Sequence, residues 1–228
     1  MEPLVITIDG PSGAGKSTVS RRLASRLGYK YIDSGALYRI VALEVMQRRI
    51  DENNDNEIAQ VCETLEVAFL NKNGKDIILC HGKDVSESIR TPEISMLASQ
   101  ISAQKVTRHH LTLCQRNMGK EGNIVLEGRD AGTVVFPEAP VKFFLDATPA
   151  ERGRRRCEEL KQKGFEVSLE QITQEIIKRD HNDQTRHYAP LVPASDAVHI
   201  DSTAMTVEEV IETMMNVIKF KRLGGTRE

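Results

Sequence analysis

Three groups of residues in this 228-residue chain could do chemistry, and all three suit anions. The first is Gly10-Pro11-Ser12-Gly13-Ala14-Gly15-Lys16-Ser17, a complete G-x-x-x-x-G-K-[ST], followed by Thr18. Three glycines let the main chain curl until successive N–H groups face one anion. The N-terminus of a following helix adds roughly half a positive charge there. In such a loop Lys16 reaches the β- and γ-phosphates of a nucleoside triphosphate and Ser17 ligates Mg²⁺. The plain alternative is a tight strand-to-helix turn with no ligand. The four fixed positions arise by chance in roughly 1% of chains this long, and the flanking pattern makes that rarer still. The loop is read as a nucleoside triphosphate site.

The second group is spread over three motifs. They are Asp33-Ser34-Gly35-Ala36-Leu37-Tyr38-Arg39, then Glu127-Gly128-Arg129-Asp130-x-Gly132-Thr133-Val134-Val135-Phe136-Pro137, then Arg179-Asp180-x-x-Asp183-x-x-Arg186, followed by Ala189-Pro190-Leu191. The guanidinium fork grips phosphate oxygens bidentately. Any single arginine here reads as a surface residue beside a carboxylate; three in separate motifs suggest a second anion site. Arg179 and Asp183, one turn apart, are by themselves a surface ion pair. The third group is Arg152, Arg154, Arg155 and Arg156. Alone it is a solvated basic face, with Arg152, Arg155 and Arg156 on one side by i, i+3, i+4 spacing.

The elements that must position these residues follow from short β-branched runs alternating with amphipathic stretches, the pattern of a parallel sheet between helices. Leu4–Ile8 is a near-continuous apolar run, expected to be buried on both faces. A helix with Val19, Leu23 and Leu27 follows and stops at Gly28. Strands are expected at 29–32, 123–126, 141–145 and 197–200. The next helix after 29–32 puts Leu37, Ile40, Val41, Glu44 and Val45 on one side. Capping boxes are expected at Thr148–Glu151, Ser168–Gln171 and Thr206–Glu209. Between 65 and 85, two strand-like runs flank Asn73-Gly74, a hairpin signal. The fold class is therefore α/β: a doubly wound five-stranded parallel sheet with a small antiparallel insertion. The tail is expected to fray beyond Leu223.

Composition excludes several classes. The 31 Lys and Arg against 33 Asp and Glu leave a formal charge of −2, and there are ten aromatic residues with no Trp. That balance argues against a nucleic-acid partner. No run approaches the ~18 apolar residues of a membrane span, and the start reads as no signal peptide. A cytoplasmic monomer is expected. Cys62, Cys80, Cys114 and Cys157 form no C-x-x-C pair and read as reduced, mostly buried thiols rather than a metal site. No histidine has metal-ligand spacing. A guanine-reading Asn-Lys-x-Asp is missing, since Asn71-Lys72 continues into Asn-Gly, which disfavours a GTPase. A translocating ATPase would need a longer chain and a basic track. Transfer of a phosphoryl group to a small acceptor remains.

The three ordered motifs, together with the glycine loop, resemble the bacterial cytidylate kinases, collinearly over nearly the whole chain. The resemblance implies a single P-loop kinase domain over 1–228, with a monophosphate-binding region at 34–100, a β insertion at about 62–90 between the second core helix and a long helix starting near Thr91, and a helical lid at 148–168. It implies ATP bound by Gly10 to Thr18, with CMP or dCMP as acceptor. The acceptor phosphate would meet Arg39, Arg129 and Arg186 beside Ser34 and Tyr38. The base would meet Ser99, Arg108 and Asp130, and the sugar Arg179 and Asp183. Cytosine offers an N4 amino donor beside N3 and O2 acceptors, which a carboxylate and an arginine complement. Lys16, Arg129 and the lid arginines Arg152, Arg155 and Arg156 would carry catalysis, with at least two of those three reaching the triphosphate when the lid closes. Mg²⁺ would be held by Ser17 and by Glu127, directly or through water, where the family more often has Asp. Kinases for UMP or dTMP on the same scaffold, and a nucleotide-responsive binding module without transfer activity, are the alternatives.

Overall fold

The computed structural model describes residues 3–72, 75–162 and 164–223. In chain order the elements are β1 (Val5–Asp9), α1 (Lys16–Leu27), β2 (Lys30–Asp33), α2 (Ser34–Arg48), α3 (Asp55–Glu63), β3 (Val67–Lys72), β4 (Lys75–Cys80), β5 (Lys83–Asp84), α4 (Pro92–Ile101), α5 (Lys105–Met118), β6 (Ile124–Gly128), β7 (Val141–Asp146), α6 (Pro149–Gln162), α7 (Leu169–Thr185), β8 (Val198–Asp201) and α8 (Val207–Arg222). The chain divides into two compact units, Met1–Tyr31 with Glu121–Glu228, and Ile32–Lys120.

The first unit is built on the five-stranded parallel sheet, in the order β2-β6-β1-β7-β8. β1 lies at its centre, with β6 and β7 parallel on either side. Ile6, Thr7 and Ile8 are all fully buried, as a strand covered on both faces requires. Val19 and Leu23 of α1 and Val210, Met214 and Ile218 of α8 join Ile8, Val125, Phe143 and Leu145 in one core. Burying each such side chain contributes about 1.5–3 kcal/mol. The register sets Asp9 beside Gly128, so the glycine loop and the Glu127–Asp130 segment leave neighbouring strand ends. Ligands of open α/β sheets bind at such carboxyl ends.

In the second unit α2 is apolar nearly all round. Leu37, Ile40, Val41 and Val45 pack with Ile58, Ile94, Ile101 and Leu111, and with Ile78 and Cys80 of β4. The insertion is a three-stranded antiparallel sheet, β3-β4-β5, in which Val67 faces Cys80 and Lys72 faces Lys75. The Asn73-Gly74 pair expected at its turn lies outside the described residues, as do Lys163 in the expected lid and the tail from Gly224.

Local signals held unevenly. Gly28 ends α1 in the left-handed region, at φ 69°, and Thr206 with Glu209 forms a complete capping box. Ser168 is the N-cap of α7 but its hydroxyl caps no backbone N–H, so that expected box is absent. At α6 Thr148 Oγ1 accepts from Glu151 N at 3.4 Å, whereas the Glu151 carboxylate turns to Arg154 and Arg155 instead of the helix start. Adjacent cations outcompete a backbone N–H for it, and they hold its pKa down at about 2. The long helix expected from Thr91 is two helices, α4 and α5. The chain breaks at Ser102, whose Oγ bonds the Ser99 carbonyl, and turns extended at Gln104.

Candidate active site

The glycine loop leaves β1 after Asp9 and enters α1 at Gly15, the N-cap, with φ 88°. Lys16 folds back and its Nζ donates to Pro11 O at 2.7 Å. It is buried, and burial, then the Arg129 charge, push its pKa down to about 7. Ser17 Oγ donates to Glu127 Oε1 at 2.6 Å, joining the first turn of α1 to the end of β6. Thr18 is exposed on the same turn. A triphosphate bound at Lys16 would favour the charged ammonium and raise its pKa. At pH 8 its binding is therefore expected to take up protons. Calorimetry in two buffers of different ionisation enthalpy reads that directly, and equal heats in the two buffers would contradict it.

Asp9 was not singled out by the motifs, yet it organises the segment beyond β6. Its carboxylate accepts Ala131 N at 2.8 Å and Gly132 N at 2.7 Å. Burial pushes its pKa up to about 6, against the pull of those two N–H bonds. Residues Ala131–Val135 form a π-helical turn, with Val135 N donating to Asp130 O and Phe136 N to Ala131 O. Such five-residue turns are rare and cluster at functional sites. A carboxylate ending a buried strand was the signal available in the sequence.

Asp180, which the third motif contains but to which no role was assigned, clamps the glycine loop with Arg152. Its Oδ1 accepts Ser12 N at 3.3 Å, and its Oδ2 pairs with Arg152, which donates to Ser12 O at 3.0 Å and Ala147 O at 2.8 Å. The Ser12 peptide is thus held at both its N–H and its C=O. The fit is close: a Cβ on Gly13, at φ 77°, would stand 3.0 Å from Arg152 Cβ and O. All three arginines lie on α6 at the expected i, i+3, i+4 spacing, and each meets a different partner. Arg152 is buried; Arg155 reaches Ser202 through Nη1 at 3.1 Å and Nη2 at 2.6 Å; Arg156 pairs with Glu159 at the surface.

Past β6, Arg129 Nε bonds Asp183 Oδ2 at 2.9 Å, while Arg186 lies 3.6 Å from both Asp183 Oδ1 and Asp130 Oδ1. The i, i+4 partner Arg179 acts on Asp183 less strongly than Arg129 does. Burial works to raise the Asp183 pKa, but Arg129, then Arg179 and Arg186, overcome it and hold the carboxyl below 3.8. Arg129 is likewise held charged, since Asp183 outweighs the effect of its burial. Arg129 and Asp183 therefore each favour the charged form of the other.

The remaining expected residues lie in the second unit. Asp33 caps α2 by accepting Ala36 N at 2.9 Å, and also accepts Arg39 Nη2 at 2.8 Å. Gly35 makes room for this: a Cβ there would stand 3.1 Å from both Arg39 Nη1 and Asp33 Oδ1. Ser34 is buried at the start of α2, and Arg108 lies over the Tyr38 ring, 5.4 Å from its centroid. Ser99 is half-buried on α4.

A buried parallel sheet whose first strand runs into an amide-lined glycine loop, with a lysine and a serine at the helix start, defines a P-loop phosphotransferase fold. The cytidylate kinase family model matches residues 6–220. The chain is 52% identical over 216 residues to the cytidylate kinase of Geobacter sulfurreducens, covering 95% of this chain and 93% of that one. It is 51% identical over 215 residues to that of Syntrophotalea carbinolica, covering 94% and 92%. Cytidylate kinase 1 of Haemophilus influenzae is 44% identical over 216 residues, covering 95% and 94%. The chain belongs to the cytidylate kinase family.

Proposed function

We propose that this protein transfers the γ-phosphoryl group of ATP to CMP or dCMP, giving ADP and CDP or dCDP. The observation that carries the reading is the cluster of Arg129, Asp183, Arg186 and Asp130 in the same unit as the glycine loop. It supplies a guanidinium-built anion site beside an amide-built one. Residues 10–18 would hold ATP. Arg129, Asp130, Arg179, Asp183 and Arg186 would serve the acceptor, with Ser34, Tyr38, Arg39, Ser99 and Arg108 of the second unit, in a single kinase domain.

The donor set at Ser17 and Glu127 fits Mg²⁺: a hydroxyl and a carboxylate, both hard oxygen ligands, already 2.6 Å apart. When bound, the ion would neutralise charge on the phosphoryl oxygens. The acceptor is itself a phosphate, largely a dianion at neutral pH because its second pKa is near 6, so no residue need remove a proton. The difficulty is bringing two polyanions together. At an effective dielectric near 20, each pair of unit charges 4 Å apart repels by about 4 kcal/mol. Lys16 and the arginines offset that repulsion and stabilise charge on the oxygens in flight. Segment 148–168 would close as a lid and exclude water, a competing acceptor. Arg155, beside Gly15, and Arg156, at the surface, are its candidates for the triphosphate, whereas Arg152 serves from behind the loop.

ADP release measured with CMP, dCMP, UMP and dTMP as acceptors tests the reading. Turnover is expected with CMP and dCMP; turnover with UMP or dTMP alone would overturn the assignment. Asp130→Ala is expected to cut the preference for CMP over UMP by about tenfold to a hundredfold while leaving the KM for ATP near its original value. Undiminished discrimination in that variant would remove Asp130 from the base site.

A further inference from the structure

Away from the nucleotide residues, Glu44, Cys80 and His81 bring a carboxylate oxygen, a thiol sulfur and an imidazole nitrogen within 4.8 Å of one another. We propose that these three side chains form a binding site for a borderline divalent transition-metal ion of the zinc type.

The donors come from three separate places in the second unit: the third turn of α2, the last residue of β4, and the turn between β4 and β5. Cys80 alternates with Ile78 along β4, so both are buried in the core that α2 shares. Its Sγ donates towards Glu44 Oε1 at 3.8 Å. Arg48 takes the other carboxylate oxygen, Oε2, with Nε at 3.0 Å and Nη2 at 2.6 Å. That leaves Oε1 facing the thiol and fixes the carboxylate plane, as the outer partners of metal ligands do. His81 and Gly82 both have positive φ, 48° and 75°, in a two-residue turn closed by the Cys80–Lys83 pair. A left-handed backbone is uncommon for a residue other than glycine. Here His81 N is anchored to Glu66 O at 2.9 Å, and the imidazole shares the space of the Cys80 sulfur.

The mixture of donors narrows the ion. Sulfur and imidazole disfavour Mg²⁺ and Ca²⁺, while one sulfur, one nitrogen and one oxygen suit Zn²⁺ at about 2.0–2.3 Å each. Closing 4.8 Å separations onto one ion asks for about an ångström of movement, which the exposed His81 and the long Glu44 side chain can supply. His81 also leaves the site open to solvent for entry of the ion, with water as fourth ligand. On binding, the sulfur–hydrogen bond breaks, the sulfur–metal bond forms and the proton leaves to solvent. The ion would tie the insertion to α2, whose first turns carry Ser34, Tyr38 and Arg39.

Cobalt(II) titrated into the full chain tests this. A thiolate-to-cobalt charge-transfer absorption saturating at one ion per chain is expected, displaced by zinc and lost in Cys80→Ser. His81→Ala, in an exposed turn, and Glu44→Gln are each expected to weaken binding by about tenfold or more. Should Cys80→Ser fold poorly, the His81→Ala affinity decides by itself. No charge-transfer band at millimolar cobalt would overturn the site. So would a band of unchanged affinity in His81→Ala, or one that persists in Cys80→Ser and so belongs to another thiol. Magnesium bound at Ser17 and Glu127 gives none of these signals, so failure here leaves the phosphoryl-transfer reading untouched.

Discussion

Lys16→Ala is expected to lower phosphoryl transfer by about a thousandfold or more. On the proposed reading, the ammonium of Lys16, folded back onto Pro11 O, would stand where charge accumulates on the phosphoryl oxygens during transfer. It is buried, and burial with Arg129 has already pulled its pKa down to about 7. That cost is repaid only when an anion arrives, so the loss should fall on kcat more than on the KM for CMP. Folding should suffer little, because the variant gives up one hydrogen bond to Pro11 O and also a partly desolvated charge. An unchanged melting temperature with abolished ADP release is the expected pair of results. Lys16→Arg should fail as well, since a planar fork cannot fold back into the space of a point charge. Near-normal turnover in either variant would remove Lys16 from the chemistry.

Asp183→Asn should have the largest effect on stability. Its carboxylate is the common partner of Arg129 and Arg186, and all three side chains are largely buried. Removing one member of such a cluster leaves cations without compensation, at about 3–5 kcal/mol. For a chain of this size that corresponds to a fall in melting temperature of about 10 °C. The pH dependence follows from the lowered Asp183 pKa. A carboxyl held below its unfolded value of 3.8 adds stability that is fully present above that value, and loses it as pH falls through the lower folded one. The gap between wild type and variant should thus be constant near neutrality and close below about pH 4. Melting curves across pH check this, and a gap that persists in acid would mean the carboxylate's charge is not what matters. In the folded variant the KM for CMP should rise more than that for ATP, because Arg129 and Arg186 lose their alignment.

Legibility in the sequence tracked how local the physics was. β1, the glycine loop and α1 were readable because an apolar run, three glycines and an i, i+4 stripe act over a few residues. The hairpin of β3 and β4 was equally local. The division of 91–118 into α4 and α5 was not, since Ser102 and Gln104 carry no strong stop signal and the break rests on hydrogen bonds formed after the chain turns. The arginines of the candidate site were found by type and motif, but their partners were not. Asp183 was paired with Arg179 by helical spacing, whereas its strongest partner is Arg129, 54 residues away. The roles of Asp9 and Asp180 are long-range for the same reason: a carboxylate that caps a turn 122 residues on, or clamps a loop 168 residues back, leaves no periodic trace. Arg152 shows the converse, a residue in an apparently solvated basic run that the fold buries.

The central claim is that one phosphate rests among main-chain amides and the other among guanidinium groups. A crystal structure with CMP and a non-hydrolysable ATP analogue measures this most directly. The CMP phosphate is predicted within hydrogen-bond distance of Arg129 and Arg186, with the triphosphate wrapped by residues 10–18. A CMP phosphate seated away from both arginines, or a triphosphate outside the glycine loop, would contradict the account.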